Sequence, residues 1–356
     1  MTNTLTRCRS LISAAVFGAF LCGMTALPSN VLAATTESKP AVKSRVVFIS
    51  SERLITDPKK NPHPLYSLID MESVGTSNPG IDQLMLNSML DQSVQVLTGK
   101  PTPKTAWKAL FKPTDVVGIK VNCIAGRGLS THPELVAAIV AGLKLADVPS
   151  DKIIVWDRTK RELIGAGFQP NETEGSVVVR GSEGFYDDKL TKQGSFKGHL
   201  TRIITDKVTA IINVPILKDH GSAGITAAMK NHYGSIDNPG DQHGDNCAAI
   251  ADLNAVPAIK DKTRLIVLDA INATCNGGPG QDPRYIWEPK TIVVSTDPVA
   301  LDYQAWQMIE KRREQIKLPT LTAEGREPKW IAGAAKNGLG TNDPKDMEVI
   351  RKVVLP

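Results

Sequence analysis

The sequence predicts an α/β protein, a mostly parallel sheet covered by helices on both faces. Three features carry that expectation. Residues 116–156 read as strand, helix and strand with short connections, a βαβ unit that forces parallel pairing. Runs such as Leu265-Ile266-Val267-Leu268 are apolar at every position, as a strand covered on both sides requires. The alternation of apolar runs with helical patterns then recurs toward the C-terminus, with no internal repeat and no low-complexity tract.

Element by element, Arg45-Val46-Val47-Phe48-Ile49 is of strand type, and the prolines among Asn, Asp and Gly in residues 56–80 have loop composition. Pro79 opens a helical pattern with Ile81, Leu84, Met85, Met89, Val94 and Leu97, stopped by Gly99 and Pro101. Val116–Val121 is a strand. Ser130 or Thr131 is expected to cap a helix that carries Pro133 and Glu134 in its first turn and runs to about Ala146. Lys152–Trp156 and Val208–Pro215 are strands, and a glycine loop then leads to a helix near Ile225–Asn231. Thr263–Asp269 and Thr291–Ser295 come next as strands. Thr296 or Asp297 caps a helix with Pro298 in its first turn, running to about Ile316, and a last helix over Trp330–Lys336 stops at Gly338.

Export is written in the first residues. Arg7 and Arg9 precede an apolar stretch from Leu11 to Leu27, Pro28 and Ser29 break it, and Val31-Leu32-Ala33 ends in small-x-small style. Residues 1–33 are expected to be a signal peptide cleaved near Ala33, with no stable membrane anchor afterwards and a periplasmic or secreted destination. Residues 34–44 read as a flexible leader and 45–356 as a single α/β domain, although two intimate lobes would also fit. The mature part holds 40 basic against 37 acidic residues and no basic cluster with interleaved aromatics, which argues against nucleic acid as a partner.

In open parallel sheets ligands bind beyond the carboxyl ends of the strands, so the residues just past each strand matter most. Lys120, Asn122 and Cys123 stand at the end of one; Asp157 and Arg158 of another; Lys218, Asp219 and His220 of a third; Asp269, Asn272, Cys275, Asn276, Gly277 and Gly278 of a fourth. In the segment from Lys218 to Gly234, Gly221 and Gly224 would let backbone approach a ligand. The next helix would aim free N–H groups at it, and Lys218 adds charge, so a small anion is the expected guest. Lys120, Lys218 and the Gly221–Gly224 loop would hold it with Lys230 assisting; Asn122, Asp157, Asn231, Asn276, Gly277 and Gly278 would complete the lining. His220, flanked by Asp219, is the acid–base candidate with Lys218 beside it. His132, His63 and His199 read as solvated surface residues, Asp297 as a helix cap, and Asp302 as facing the sheet edge or solvent.

His220, His232 and His243 fall close together among aspartates, which makes them metal candidates alongside Cys123, Cys247 and Cys275, although the spacing matches no standard metal signature. The odd count of three mature cysteines leaves a thiol over after any one disulfide. Cys123 with Cys275 as a disulfide, unpaired buried thiols, and a metal or cluster site on all three are the open readings.

With these residues laid out, the chain resembles the family catalogued as domain of unknown function 362. The resemblance rests on Val117-Gly118-Ile119-Lys120-Val121-Asn122, the Thr131–Ala146 helix, and Ile212-Asn213-Val214-Pro215-Ile216-Leu217-Lys218-Asp219-His220. It continues in Thr226-Ala227-Ala228-Met229-Lys230-Asn231 with Gly234, Asn276-Gly277-Gly278-Pro279-Gly280, and Ser295-Thr296-Asp297-Pro298-Val299-Ala300-Leu301-Asp302. It implies an uncharacterised family, some members of which carry an iron–sulfur ferredoxin module. This sequence lacks the clustered cysteines of such a module, so an iron–sulfur cluster is not expected. The expectation is an enzyme or ligand-processing protein acting on a small anionic molecule. The alternatives are a non-catalytic ligand- or metal-binding protein and a redox partner using the three cysteines.

Overall fold

Side-chain alternation sorts the strands into two cores. Val47 and Ile49 join one buried cluster and Val46 and Phe48 the other; Leu265 and Val267 divide from Ile266 and Leu268 in the same way. A sheet with apolar residues on both faces must be covered twice, and it is. The computed structural model describes residues 43–55, 74–76, 78 and 80–354. Residues 1–33, expected to be a signal peptide, all but the last two residues of 34–44, expected to be a leader, most of residues 56–80, and His63 lie outside the described residues.

The strands are β1 (Ser44–Ser50), β2 (Val117–Lys120), β3 (Ile153–Asp157), β4 (Val178–Gly181), the hairpin β5 (Thr191–Gln193) and β6 (Phe196–Gly198), and β7 (Ala210–Asn213). They continue with β8 (Ile216–His220), β9 (Gly224–Thr226), β10 (Thr263–Thr274), β11 (Ile286–Trp287), β12 (Thr291–Ser295) and β13 (Met347–Val353). The main sheet has the order β13-β1-β12-β10-β7-β2-β3-β4, and along that path only β12 runs against the rest. β5 and β6 make a separate antiparallel pair.

Helices α1 (Gln83–Thr98), α2 (Pro103–Leu110), α3 (Pro133–Leu145) and α4 (Lys160–Ala166) cover one face through Leu86, Met89, Trp107, Leu135, Ile139 and Leu163. After the single turn α5 (Ala228–Asn231), helices α6 (Ala249–Ala255), α7 (Pro257–Lys260), α8 (Pro298–Gln315) and α9 (Trp330–Lys336) cover the other, through Ile250, Ile259, Leu301 and Ile331. Among the described residues no helix is long and apolar enough to cross a membrane.

Several local expectations change. Residues 208–215 do not form one strand. The ladder breaks at Val214-Pro215, where proline has no N–H to give, and resumes as β8 beside the far half of β10. The helix expected over 225–231 is only the turn α5, because Gly224–Thr226 is claimed by antiparallel pairing with Lys218–His220. Neither Ser130 nor Thr131 caps α3: the N-cap is His132, Thr131 Oγ1 donates to Val214 O at 2.7 Å, and Ser130 Oγ is buried without a partner. Asp297 does cap its helix, accepting from Val299 N and Ala300 N, each at 2.8 Å.

Candidate functional site

The register of the parallel strands brings three polar side chains level at the carboxyl edge. Lys120 pairs across to Asn213 in β7 and lies beside Trp156 of β3, with Asp157 one residue further on. Lys120 Nζ meets Asp157 Oδ1 at 2.6 Å and Asn231 Oδ1 at 3.3 Å, and Asp157 Oδ2 accepts from Cys123 N at 2.6 Å. Asn231 Nδ2 donates to Asn213 Oδ1 at 2.8 Å and to Lys120 O at 3.1 Å, which ties α5 to two strand ends. Asn213 Nδ2 in turn donates to Ala228 O at 2.7 Å. Gly234 lies over this pair so closely that a Cβ there would be 2.5 Å from Asp157 Oδ1 and 2.6 Å from Lys120 Nζ. Lys120 is therefore not available to a ligand: its charge is already answered by a buried carboxylate.

Above this floor opens a cavity of about 200 Å³, lined among others by Asn122, Arg158, Lys218, His220, Thr226 and Lys230. The alternation of β8 sends Lys218 and His220 into it and Asp219 the other way. Lys218 Nζ donates to Asn122 Oδ1 at 2.9 Å, and Asn122 Nδ2 donates to Asn231 Oδ1 at 3.1 Å. Lys230 Nζ lies 3.1 Å from His243 Nε2 and 3.7 Å from the centre of the Tyr233 ring. The walls also carry two carboxylates, Asp157 and Glu162, and each is committed, to Lys120 and to Arg158. Among the described residues neither Lys218 nor Lys230 has a carboxylate partner. Burial lowers Lys218 to about 8, against the pull of Asp157, and lowers Lys230 to about 7, with the like charge of Lys218 adding to the effect.

The histidine protons can be placed from their partners. His220 Nδ1 accepts from the amides of Ser222 and Ala223, both at 3.1 Å, so in the neutral ring the proton sits on Nε2. Burial, with Lys230 and His243 nearby, takes His220 down to about 3. With Nδ1 occupied by those amides, the neutral ring meets the cavity as an N–H donor rather than with a free lone pair. His243 stacks on it with ring centres 5.4 Å apart. His243 Nδ1 faces Pro239 O at 2.8 Å, an acceptor only, so Nε2 carries the lone pair and points it at Lys230. Lys230 with His243 is therefore a contact in which an amine meets a ring lone pair.

Other expected site residues are elsewhere. Asp219 is buried against Arg326 Nη1 at 3.0 Å and Gly278 N at 2.9 Å, outside the cavity; burial raises its carboxyl and Arg326 opposes the rise. Asn276 Oδ1 accepts from Arg326 Nη2 at 3.3 Å in the same outer network. Gly224, at φ +77°, and Gly278 are glycines for packing: a Cβ would come within 2.2 Å of Arg326 O and 1.9 Å of Asp219 O respectively. Gly221 gives its amide to Gly278 O at 3.2 Å, and Gly277 turns at φ +88° beside Asp282. The expected free N–H groups of the helix after the loop are taken, since Ala228 N and Met229 N donate to Asp302 at 2.6 and 2.9 Å. Asp302 is fully buried, not at a sheet edge or in solvent, and burial lifts its carboxyl to about 7.

His132 is no surface residue either. It is 5% exposed, with its Nδ1 and backbone N both 2.8 Å from Asp269 Oδ2. Burial alone would lower its pKa, and the charge and hydrogen bond of Asp269 together raise it instead. His199 is half-buried, with Nδ1 2.7 Å from Asp187 O. His232 is buried beside Ser235, away from the cavity, and burial takes it to about 3. Cys123, Cys247 and Cys275 are buried and free. Cys123 belongs to the core on one face of the sheet and the other two to the opposite core, so neither a Cys123–Cys275 disulfide nor a three-cysteine site can form. Among the described residues no group of three or more His, Cys, Asp and Glu is arranged to hold a metal ion.

Thr226, Tyr233, Gly234 and Asn213 escaped the sequence reading. Two signals were present: Tyr233 stands three residues after Lys230, the spacing that brings side chains together on one turn, and Thr226 faces Lys218 once the hairpin is recognised.

The model of the family described as Domain of unknown function (DUF362) matches residues 117–307, more than half of the chain. That span contains both the Lys120–Asp157 floor and the Lys218–Lys230 wall. No curated protein matches the chain.

Proposed function

The chain belongs to the DUF362 family, whose description names no chemistry, and we propose that it binds and processes a small anionic molecule in the cavity beside β2, β3 and β8. The observation that carries this reading is the pair Lys218 and Lys230, two buried amines in one cavity that among the described residues have no carboxylate partner, the wall carboxylates Asp157 and Glu162 being paired with Lys120 and Arg158. A buried ammonium without a counterion costs several kcal/mol, and an entering anion removes that cost. Lys218 supplies charge, Nε2–H of His220 a directed donor, and Asn122 keeps the Lys218 head in place. Lys230 and His243 handle protons. The reading of residues 1–33 as a signal puts this activity outside the cytoplasm.

Sulfate tests it, because its own charge does not change across the range. Binding should be tightest below about pH 7, where both lysines are protonated, and weaken above about pH 8. By linkage the loss between pH 6 and pH 9 should reach roughly tenfold or more by calorimetry. An affinity independent of pH, or one untouched by Lys218→Met, would sink the proposal.

A further inference from the structure

Lys218 and Lys230 share a cavity but not a role. Lys218 Nζ donates to Asn122 Oδ1 at 2.9 Å, and that amide oxygen is not basic enough to take a proton from it. The neighbour of Lys230 is also an acceptor but a basic one, a ring nitrogen with its lone pair outward, held so by the Nδ1 contact to Pro239 O. One amine faces a group that cannot take its proton, and the other faces a base that can.

We propose that Lys230 is the nucleophilic amine of this pocket, and that the substrate class is a small oxo acid, held by its carboxylate at Lys218 and His220 while its carbonyl carbon bonds to Lys230 Nζ. This rests on the anion reading above and names the chemistry of the guest. The step balances without an oxidant or reductant. Lys230 passes a proton to His243 Nε2, and its lone pair adds to the carbonyl carbon as the π pair moves to oxygen. That oxygen takes back the proton held by His243 and a second one shed by the Lys230 nitrogen, and leaves as water, so a protonated C=N bond to Lys230 replaces the C=O bond. Thr226 also lines the cavity wall.

The surroundings of Lys230 fit a poised amine. Burial, Lys218 and Arg158 all favour the neutral form, and its value is about 7; Cys247 acts in the other direction. The Tyr233 face at 3.7 Å also favours the ammonium. Opposed influences of this size leave both forms populated near neutral pH.

The experiment is reductive trapping of the full chain with pyruvate and cyanoborohydride, read by intact mass and peptide mapping. A reduced adduct should form on Lys230 at least about tenfold faster than on any exposed lysine, whose ordinary pKa is about 10.4, and sulfate should suppress it. Lys230→Met should abolish that adduct, and His243→Gln should move the acid limb of its pH profile. Mapping of the unmodified chain stays decisive even if a variant fails to fold. An adduct spread evenly over surface lysines, or placed on Lys218, overturns the proposal. Sulfate binding with the expected pH dependence but without Lys230 labelling overturns it while the anion reading stands. Labelling of Lys230 that sulfate does not touch removes the oxo-acid class.

Discussion

Two regions of one carboxyl edge bury lysines and treat them in opposite ways. At the ends of β2 and β3, Lys120 is matched with Asp157 at 2.6 Å, and Asn231, Asn213 and Cys123 N take up the remaining polar atoms. On the wall built by β8 and α5, Lys218 and Lys230 meet an amide oxygen, an imidazole and an aromatic face and, among the described residues, no carboxylate partner. The first arrangement is complete and closed under Gly234; the second is incomplete and faces a cavity. A buried charge whose partner is supplied by the chain is architecture. One whose partner must come from outside is, on the function proposed above, a receptor.

The contrast breaks most visibly at its paired half. Asp157→Asn leaves Lys120 as a buried ammonium without its counterion and should cost about 3–5 kcal/mol in a denaturant titration. A loss under about 1 kcal/mol would mean that this pair is no more structural than the wall. Next in size is Gly234→Ala, whose methyl would press on Lys120 Nζ and Asp157 Oδ1; overpacking of this kind should cost about 1–3 kcal/mol by the same measurement. The smallest change in stability belongs to Lys218→Met. Removing an unpartnered buried charge offsets the hydrogen bond lost by Asn122, so the net effect should stay within about 1 kcal/mol while sulfate affinity falls. A large destabilisation by Lys218→Met would make Lys218 part of the scaffold and erase the comparison.

The apolar half of the molecule was readable in advance because period-two and helical spacings are local. Val117–Lys120, Ile153–Asp157, Thr291–Ser295 and the helix begun by Pro298 appear where short-range patterning puts them. Locality also explains the misreadings. Residues 225–231 have a helical look, and only the hairpin partner at Lys218–His220 reveals that the first two, with Gly224 before them, are strand. Asp302 and Ala228 are 74 residues apart, so no window of sequence shows that the helix start is already capped.

The site divides along the same line. The residues themselves were legible: Lys218, His220, Lys230, Asn122 and Asn231 all line the cavity, as the strand-end rule leads one to expect. Their roles were not. Asp219 is next to His220 in the chain and on the opposite face of the strand, and the neighbour that counts for it is Arg326, 107 residues away. His132 has the sequence surroundings of an exposed residue, and it is Asp269, 137 residues on, that holds its ring in the interior.

By itself, then, the sequence determined the layered α/β class, the edge at which polar residues gather, and the identity of several residues of the cavity lining, because each depends on spacing along one strand or one helix. Tertiary structure decided which lysine is paired and which is open, which histidine nitrogen holds the proton, and which glycines serve packing. Those depend on partners brought within about 3 Å from distant parts of the chain, and hydrogen bonds and burial act only at that range.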